Sequence, residues 1–390
     1  MMRSNPNRPH AMTKELFDQI IENPADMDSR LVYADWLTEN GEPRGQLIHV
    51  QYELTQSPSP KRQRLLNLKE KGLLRLVSAK DEVPDQLRDP KYRNGFIEGG
   101  RIFLADYLEK GEELCKKFPL RSLRLQIHDD EKLREIKSCP AFKNIEEIEY
   151  WPYDHSVENS HLRLIANCPH LSNLKSLHFI GHEDFTLSGV KALANSEFTT
   201  DFISFVSKKW DDACTKVICE SSNFRNLQRL SIGGGTKSCV HLPDSEFRNK
   251  LRELSLGYIG DKGVESLFRS EKPFEQLRTL RLSNCNLSTE AVRILTTQSH
   301  LLPNLKELAV DQNSIKDKGA ELLAESPFLS QLDVVNLQNC GLKLPGVLAL
   351  AESATRNKET RIELSGNKIP GEEKAELISR HPEFEQTFRE

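Results

Sequence analysis

Between about residue 120 and residue 369 the chain repeats one short pattern, most plainly as LRTLRLSNCNL (277–287), LKELAVDQNSI (305–315) and LDVVNLQNCGL (332–342). The fourth position of successive copies is Leu254, Leu280, Leu308, Val335 and Ile362, at spacings of 26, 28, 27 and 27 residues. That period holds one strand and one helix per copy. Within a copy the last two apolar residues stand two apart, on one face of a short strand, and point into the coil. Position nine is Cys285, Asn313, Cys340 or Asn367, a small or polar residue placed to stack into a ladder where the chain turns. Helical segments such as GVESL (263–267), AVRIL (291–295) and GVLAL (346–350) close the copies. Strand and helix alternate, so the expected fold class is α/β with a parallel sheet and outer helices.

Weaker copies extend the series backward through LQRLSI (227–232), TDFISFV (200–206), LKSLHF (174–179), IEEIEY (145–150) and LRSLRL (120–125), with GFIEGGRIF (95–103) as a capping strand. One copy is broken, because GGGTKSCVHLPDSEF (233–247) replaces the helix with a glycine-rich loop. The charged segment 371–390 is the polar lid that an open end needs. The motif resembles the leucine-rich repeat, of the ribonuclease-inhibitor-like type. The resemblance implies a solenoid, a horseshoe with a curved parallel sheet, that works as a binding surface.

The first seventy residues follow different rules. TKELFDQIIENP (13–24) places Leu16, Phe17, Ile20 and Ile21 on one helical face, with Thr13 as its cap. DSRLVYADWLTENG (28–41) is a second helix opened by Asp28 or Ser29 and closed by Gly41, and EPRGQLIHVQYELTQ (42–56) a third. The stretch LVYADWLTENGEPRGQLIHVQ (31–51) resembles the bacterial repeat-companion domain, a small all-α module that heads families continuing into leucine-rich repeats. Arg30, Tyr33, Asp35, Trp36, Arg44, Gly45 and Gln51 fall on its pattern. The resemblance implies architecture and carries no activity. Tyr33 and Trp36 are expected to pack the helix pair, and Asp35 to pair with Arg44 across the Gly41 turn. The expected layout is therefore a helical domain at 12–56, a linker and amphipathic helix at 57–90, the repeats at 91–370 and a cap at 371–390.

KRQRLLNLKEKGLLRLV (61–77) reads as a basic amphipathic helix. Its cations suit an acidic membrane surface or phosphates, but the favoured expectation is that Leu65, Leu68, Leu73 and Leu76 cap the first repeat. No run reaches the eighteen apolar residues of a membrane span, and the net charge of −4 steers nothing strongly. The eight cysteines sit in packing contexts rather than metal-ligand spacings, which points to a cytoplasmic protein with reduced thiols, no metal and no cofactor. SIGGGTK (231–237) lacks the spacing of a phosphate-binding loop. An enzyme is disfavoured: the residues before the repeats hold no Cys ahead of Cys115, and His10 and His49 have no triad partner in view.

The variable positions around each strand face the concavity, and their charges balance in sign. A nucleic-acid reader needs a stripe of one sign, so the expected partner is a protein, with neither nucleic acid nor membrane involved. Trp151 and Tyr153 in WPYDH (151–155) are interface anchors, or else fill a widened repeat. Tyr258 with Arg252, Arg281 and Asn284 forms a second candidate cluster, whereas Trp210 fits a core position. The reading is a non-enzymatic interaction scaffold holding a protein on its concave face, the alternative being an inhibitor or immunity-type protein wrapping an enzyme or toxin.

Overall fold

The computed structural model describes residues 8–388 apart from 57, 153–155 and 208–210, so Tyr153, His155 and Trp210 lie outside the described residues. The chain divides into two compact units, 1–155 with 168–174, and 156–167 with 175–390.

The first unit begins with four helices, α1 (Arg8–Glu22), α2 (Met27–Glu39), α3 (Pro43–Thr55) and α4 (Pro60–Ser78). Thr13 lies inside α1 rather than at its cap, and α2 is capped at Asp26, two residues before Asp28 and three before Ser29. Asp26 accepts the amides of Asp28 and Ser29 at 3.0 and 3.3 Å. Helices α2 and α3 approach so closely at Gly45 that a Cβ there would lie 2.5 Å from the Ala34 carbonyl. The aromatic expectation holds: Tyr33 is buried between Trp36 and Phe96, its ring 6.5 and 5.9 Å from theirs. The expected Asp35–Arg44 pair does not form. Asp35 instead meets His49 at 3.0 Å on the surface, while Arg44 turns inward to Asp81.

The unit continues with β1 (Arg88–Arg93), β2 (Phe96–Phe103), α5 (Leu104–Lys117), β3 (Ser122–Ile127), the short α6 (Asp130–Leu133) and β4 (Glu147–Pro152). Strand β1 is antiparallel to β2, and β2, β3 and β4 run parallel in sequence order. The turn between β1 and β2 is Asn94–Gly95, at φ 47° and 78°, the left-handed pair that a two-residue hairpin with right-twisted strands requires. Three residues of the helical motif converge on this turn. Arg44 donates to the Gly95 carbonyl at 2.7 Å, Gln51 accepts the Gly95 amide at 2.7 Å, and Arg30 reaches the Asn94 carbonyl at 3.4 Å. Arg30 is wholly buried, ion-paired to buried Glu98 at 2.8 Å and lying against the Phe96 ring. A buried charge is tolerable only when paired and hydrogen-bonded, and the Pro24 carbonyl takes a further Arg30 donor at 2.7 Å.

Helix α4 differs from expectation. Its buried stripe is Leu66, Leu73 and Val77, packed with Leu47 and Val50 of α3, while Leu65, Leu68 and Leu76 face outward. The sequence holds two leucine stripes on this helix, and the one offset toward α3 is the one that packs.

The second unit carries α7 (Asn159–Ala166), β5 (Ser176–Phe179), α8 (Leu187–Ala194), β6 (Ser204–Ser207), α9 (Asp212–Glu220), β7 (Arg229–Ile232) and β8 (Glu253–Leu256). It continues through α10 (Gly260–Phe268), β9 (Thr279–Arg281), α11 (Thr289–Thr297), β10 (Glu307–Ala309), α12 (Lys316–Glu325) and α13 (Phe328–Gln331). It ends with β11 (Val334–Asn336), α14 (Leu344–Ala351), β12 (Arg361–Glu363) and α15 (Gly371–Arg380). Strands β5 to β12 are parallel and ordered as in the sequence, with Leu254, Leu280, Leu308, Val335 and Ile362 aligned across them. Between β7 and β8 the expected loop is built from three short 3-10 turns.

The position-nine ladder is present. Asn313 accepts the amides of Cys285 and Leu287 at 3.0 and 2.9 Å and donates to the Leu282 and Val310 carbonyls, both at 2.8 Å. Asn367 repeats this with Cys340 and Leu342. The cysteines fill the alternate rungs by donating Sγ–H to the carbonyls of Leu256 and Val310. Burial pushes the Cys340 thiol up to about 12, so it remains a protonated donor. All eight cysteines carry free thiols. At the far end Phe384 is buried and the Thr387 carbonyl accepts the Leu364 amide at 2.8 Å, closing the edge beside β12.

Candidate protein-binding surface

Along β7 to β12 each strand buries the apolar residue aligned with Leu254 and turns the residues on either side of it to the opposite, accessible face, except that Ala309 of β10 is itself buried. Residues 24–28 apart in sequence therefore become side-chain neighbours about 4.8 Å apart. On that face Arg229 grips Glu253 with two hydrogen bonds of 3.0 and 2.9 Å, and Arg281 lies between Glu253 at 3.6 Å and Glu307 at 2.8 Å. The result is one ladder, Arg229–Glu253–Arg281–Glu307, across four strands. The Arg229 hydrogen bonds, with Arg281 beside them, hold the Glu253 carboxyl below its ordinary value despite partial burial. Arg281 is thus already committed within the sheet face.

The first unit has its own version. Lys91 and Arg124 both bind Glu149, the lysine at 2.8 Å, and Arg93 meets Glu147 at 3.0 Å. Burial raises Glu149, but the hydrogen bonds from Lys91 and Arg124 outweigh it and leave the carboxyl below its usual range. Trp151 sits on β4 opposite Gln126 of β3 and is half-buried.

The other four expected site residues lie in the second unit, and β8 separates them. Arg252 precedes β8 and Tyr258 follows it, so a strand of four residues, roughly 13 Å, lies between them. Asn284 follows β9 as Tyr258 follows β8, four residues past the aligned leucines Leu254 and Leu280, so these two are neighbours on the trailing edge. On the leading edge Arg252 is joined by Arg278 and Lys306, both exposed, which stand at the same position in the next two repeats. The carbonyl of each accepts the amide of the next, at 2.9 and 2.8 Å. Arg252 and Arg278 make no ion pair among the described residues, and Asp333 ends the row. The sequence contained these cations, but only the register shows that they are consecutive.

The trailing edge holds the more unusual feature. Tyr258, Asn284, Gln312, Asn339 and Gly366 occupy one equivalent position in five successive repeats, and all have left-handed backbone, with φ of 57°, 51°, 56°, 53° and 73°. Asn and Gly suit that region; a bulky aromatic does not. Tyr258 is nevertheless there, 68 % exposed, beside the glycine-rich turn that follows β7.

The surface-exposed Asp35–His49 pair is the arrangement in the first unit nearest to an acid–base dyad. The carboxyl is exposed and the imidazole partly so, and water screens the interaction between them. Among the described residues no helix is long and apolar enough to cross a membrane.

The fold is an α/β leucine-rich-repeat solenoid. A family model described as "Leucine Rich repeat" matches residues 302–324. A ribonuclease inhibitor of Sus scrofa is 33% identical over 125 residues, 30% of this chain and 27% of that protein. One of Mus musculus is 28% identical over 153 residues, 37% of this chain and 34% of that protein. The "NACHT, LRR and PYD domains-containing protein 5" of Homo sapiens is 29% identical over 163 residues, 40% of this chain and 11% of that protein. The chain thus spans about a third or less of the length of these relatives. A solved Bacteroides fragilis structure aligns over 80% of the chain at 14% identity and a TM-score of 0.33.

Proposed function

We propose that this chain is a non-catalytic scaffold that holds a protein partner on the accessible sheet face of β8 to β10. The observation that carries the reading is Tyr258. Left-handed backbone costs a non-glycine residue roughly 1–2 kcal/mol. Four equivalent positions hold Asn, Gln or Gly, so repeat geometry alone does not call for an aromatic side chain held out in solvent. A tyrosine so placed has the character of an interface anchor. The leading-edge row Arg252, Arg278 and Lys306 suits an acidic segment of that partner, Asn284 extends the anchor, and the Arg281 ladder sets register rather than supplying a free charge. Trp151 offers a further contact on the first unit. The unpaired thiols fit a reducing, cytoplasmic setting.

An inhibitor that wraps an enzyme is the second reading, favoured by the similarity to ribonuclease inhibitors over 125 and 153 residues. Both readings are tested by affinity capture from native lysate with the full chain and its Tyr258→Gly variant, followed by mass spectrometry. The variant should retain the partner roughly 30-fold less well, as loss of a hot spot does. Because glycine accepts the left-handed backbone, it should also unfold no more easily, with a gain of about 0.5–1 kcal/mol. Equal retention by a folded variant removes Tyr258 from the site.

A further inference from the structure

We propose that the outward face of α4 docks on an anionic membrane surface, reversibly and without insertion across it. Among the described residues the exposed large apolar side chains are Val32, Leu65, Leu68, Leu76 and Tyr258, and three of these five lie on this one helix, at 57, 69 and 56 % exposure. At about 100° per residue, Leu65, Leu68 and Leu76 fall with Gly72 inside an arc of about 80°. Gly72 has nothing within 4 Å of where a Cβ would stand, so this face is open along its middle. A separate stripe about 120° round the helix, Leu66, Leu73 and Val77, already secures it to α3. The outer leucines are therefore surplus to the packing of the unit.

Cations border the same stripe. Lys61 lies in line with it one turn ahead of Leu65, Arg64 and Arg75 flank one side, and Lys69 flanks the other. None of these four has an ion-pair partner among the described residues. Arg62, on the side toward α3, is the cation of this helix that is neutralised, by Glu53 at 2.6 Å. The helix carries a single acid, Glu70, which accepts a hydrogen bond from Gln51, so a strongly positive segment sits within a chain of net charge −4.

An apolar ridge with free lysines and arginines along both sides matches a lipid interface. The leucines enter the boundary between headgroups and acyl chains, while the long cationic side chains stay level with the phosphates. An exposed helix face presents a convex ridge, and a fluid bilayer conforms to such a surface. With three leucines as its apolar contact, the binding through this helix should be weak and sensitive to salt.

The experiment is vesicle co-sedimentation of the full chain. Vesicles of phosphatidylcholine alone are compared with vesicles containing 30 mol% phosphatidylserine, at low and high salt. Three proteins are used: wild type, Leu65→Ser/Leu68→Ser/Leu76→Ser, and Lys61→Gln/Arg64→Gln/Lys69→Gln/Arg75→Gln. Wild type should bind the anionic vesicles at low salt and leave the neutral ones in solution. The glutamine variant should lose about fivefold per charge removed, and the serine variant should lose binding while keeping its thermal unfolding midpoint. The substituted side chains are exposed, so both variants retain the packed stripe. Absence of binding by folded wild type overturns the proposal, as does undiminished binding by the serine variant. A wild-type dimer that the serine substitutions abolish, without vesicle binding, overturns it in favour of a second copy as the occupant.

Discussion

The β1–β2 turn of the first unit and the β9–β12 rows of the second solve the same problem in opposite ways. Both must satisfy backbone groups where a strand gives way to a turn. In the second unit one device is repeated, a buried Asn or Cys in each copy, and every rung has another like it next door. In the first unit Arg30, Arg44 and Gln51 come from two helices, each occurs once, and all act on Asn94 and Gly95. Repetition spreads the stabilisation, whereas the socket concentrates it. Damage to one region should therefore stay within a repeat or two, and damage to the other should release a whole hairpin.

The sharpest break of this contrast is Arg30→Ala, which takes the close partner from the buried Glu98 carboxylate and leaves it only the longer contacts to Arg121 at 3.8 Å and Asn94 at 3.4 Å. Removing one partner of a buried pair costs about 3–5 kcal/mol. Hydrogen exchange should show β1 and β2 losing protection while β9 to β12 keep theirs; a uniform loss would mean that the socket is not local. Asn313→Ala comes next, at roughly 2–3 kcal/mol, because two amides and three carbonyls lose a partner at once. Asn313→Cys should cost less, since Cys285 and Cys340 serve at the same position in neighbouring repeats; equal costs in urea unfolding would show that the two rung types are not interchangeable. The smallest effect belongs to the surface ladder. Glu253 is held below its unfolded value, so its contribution is fully present above the unfolded carboxyl range and disappears as pH falls through the lower folded value. Half-exposed pairs contribute under about 1 kcal/mol, so Glu253→Gln should flatten acid unfolding only slightly and only at low salt.

How much was legible in the sequence depended on whether the deciding interaction was periodic. Leu254, Leu280, Leu308, Val335 and Ile362 announced their alignment because each copy must bury the same position, and the Asn and Cys rungs followed. Strand β1 was not legible. RDPKYR shows no apolar alternation, and its pairing is dictated by the Asn94–Gly95 turn behind it. On the surface, the charges could be listed but not paired, because Arg229 and Glu253 are neighbours only through strand register. For the same reason Arg281 looked available when it is held from both sides, and Arg252 looked close to Tyr258 when a strand separates them. The backbone of Tyr258 was hidden by its own side chain, since tyrosine is a residue from which left-handed geometry is not expected. On α4 either leucine stripe satisfied the helical period, and only the position of α3 decides between them.

The socket for Asn94 and Gly95 also has a direction in time. Synthesis proceeds from the N-terminus, and helices form from contacts close in sequence, ahead of contacts 44 to 64 residues apart such as those to Asn94 and Gly95. Residues 30–51 are thus made and able to pack as a helical hairpin before the turn they hold has been translated. The first strand pair then meets a finished template, each later strand adds to the edge just completed, and the growing sheet is spared the search for where to begin.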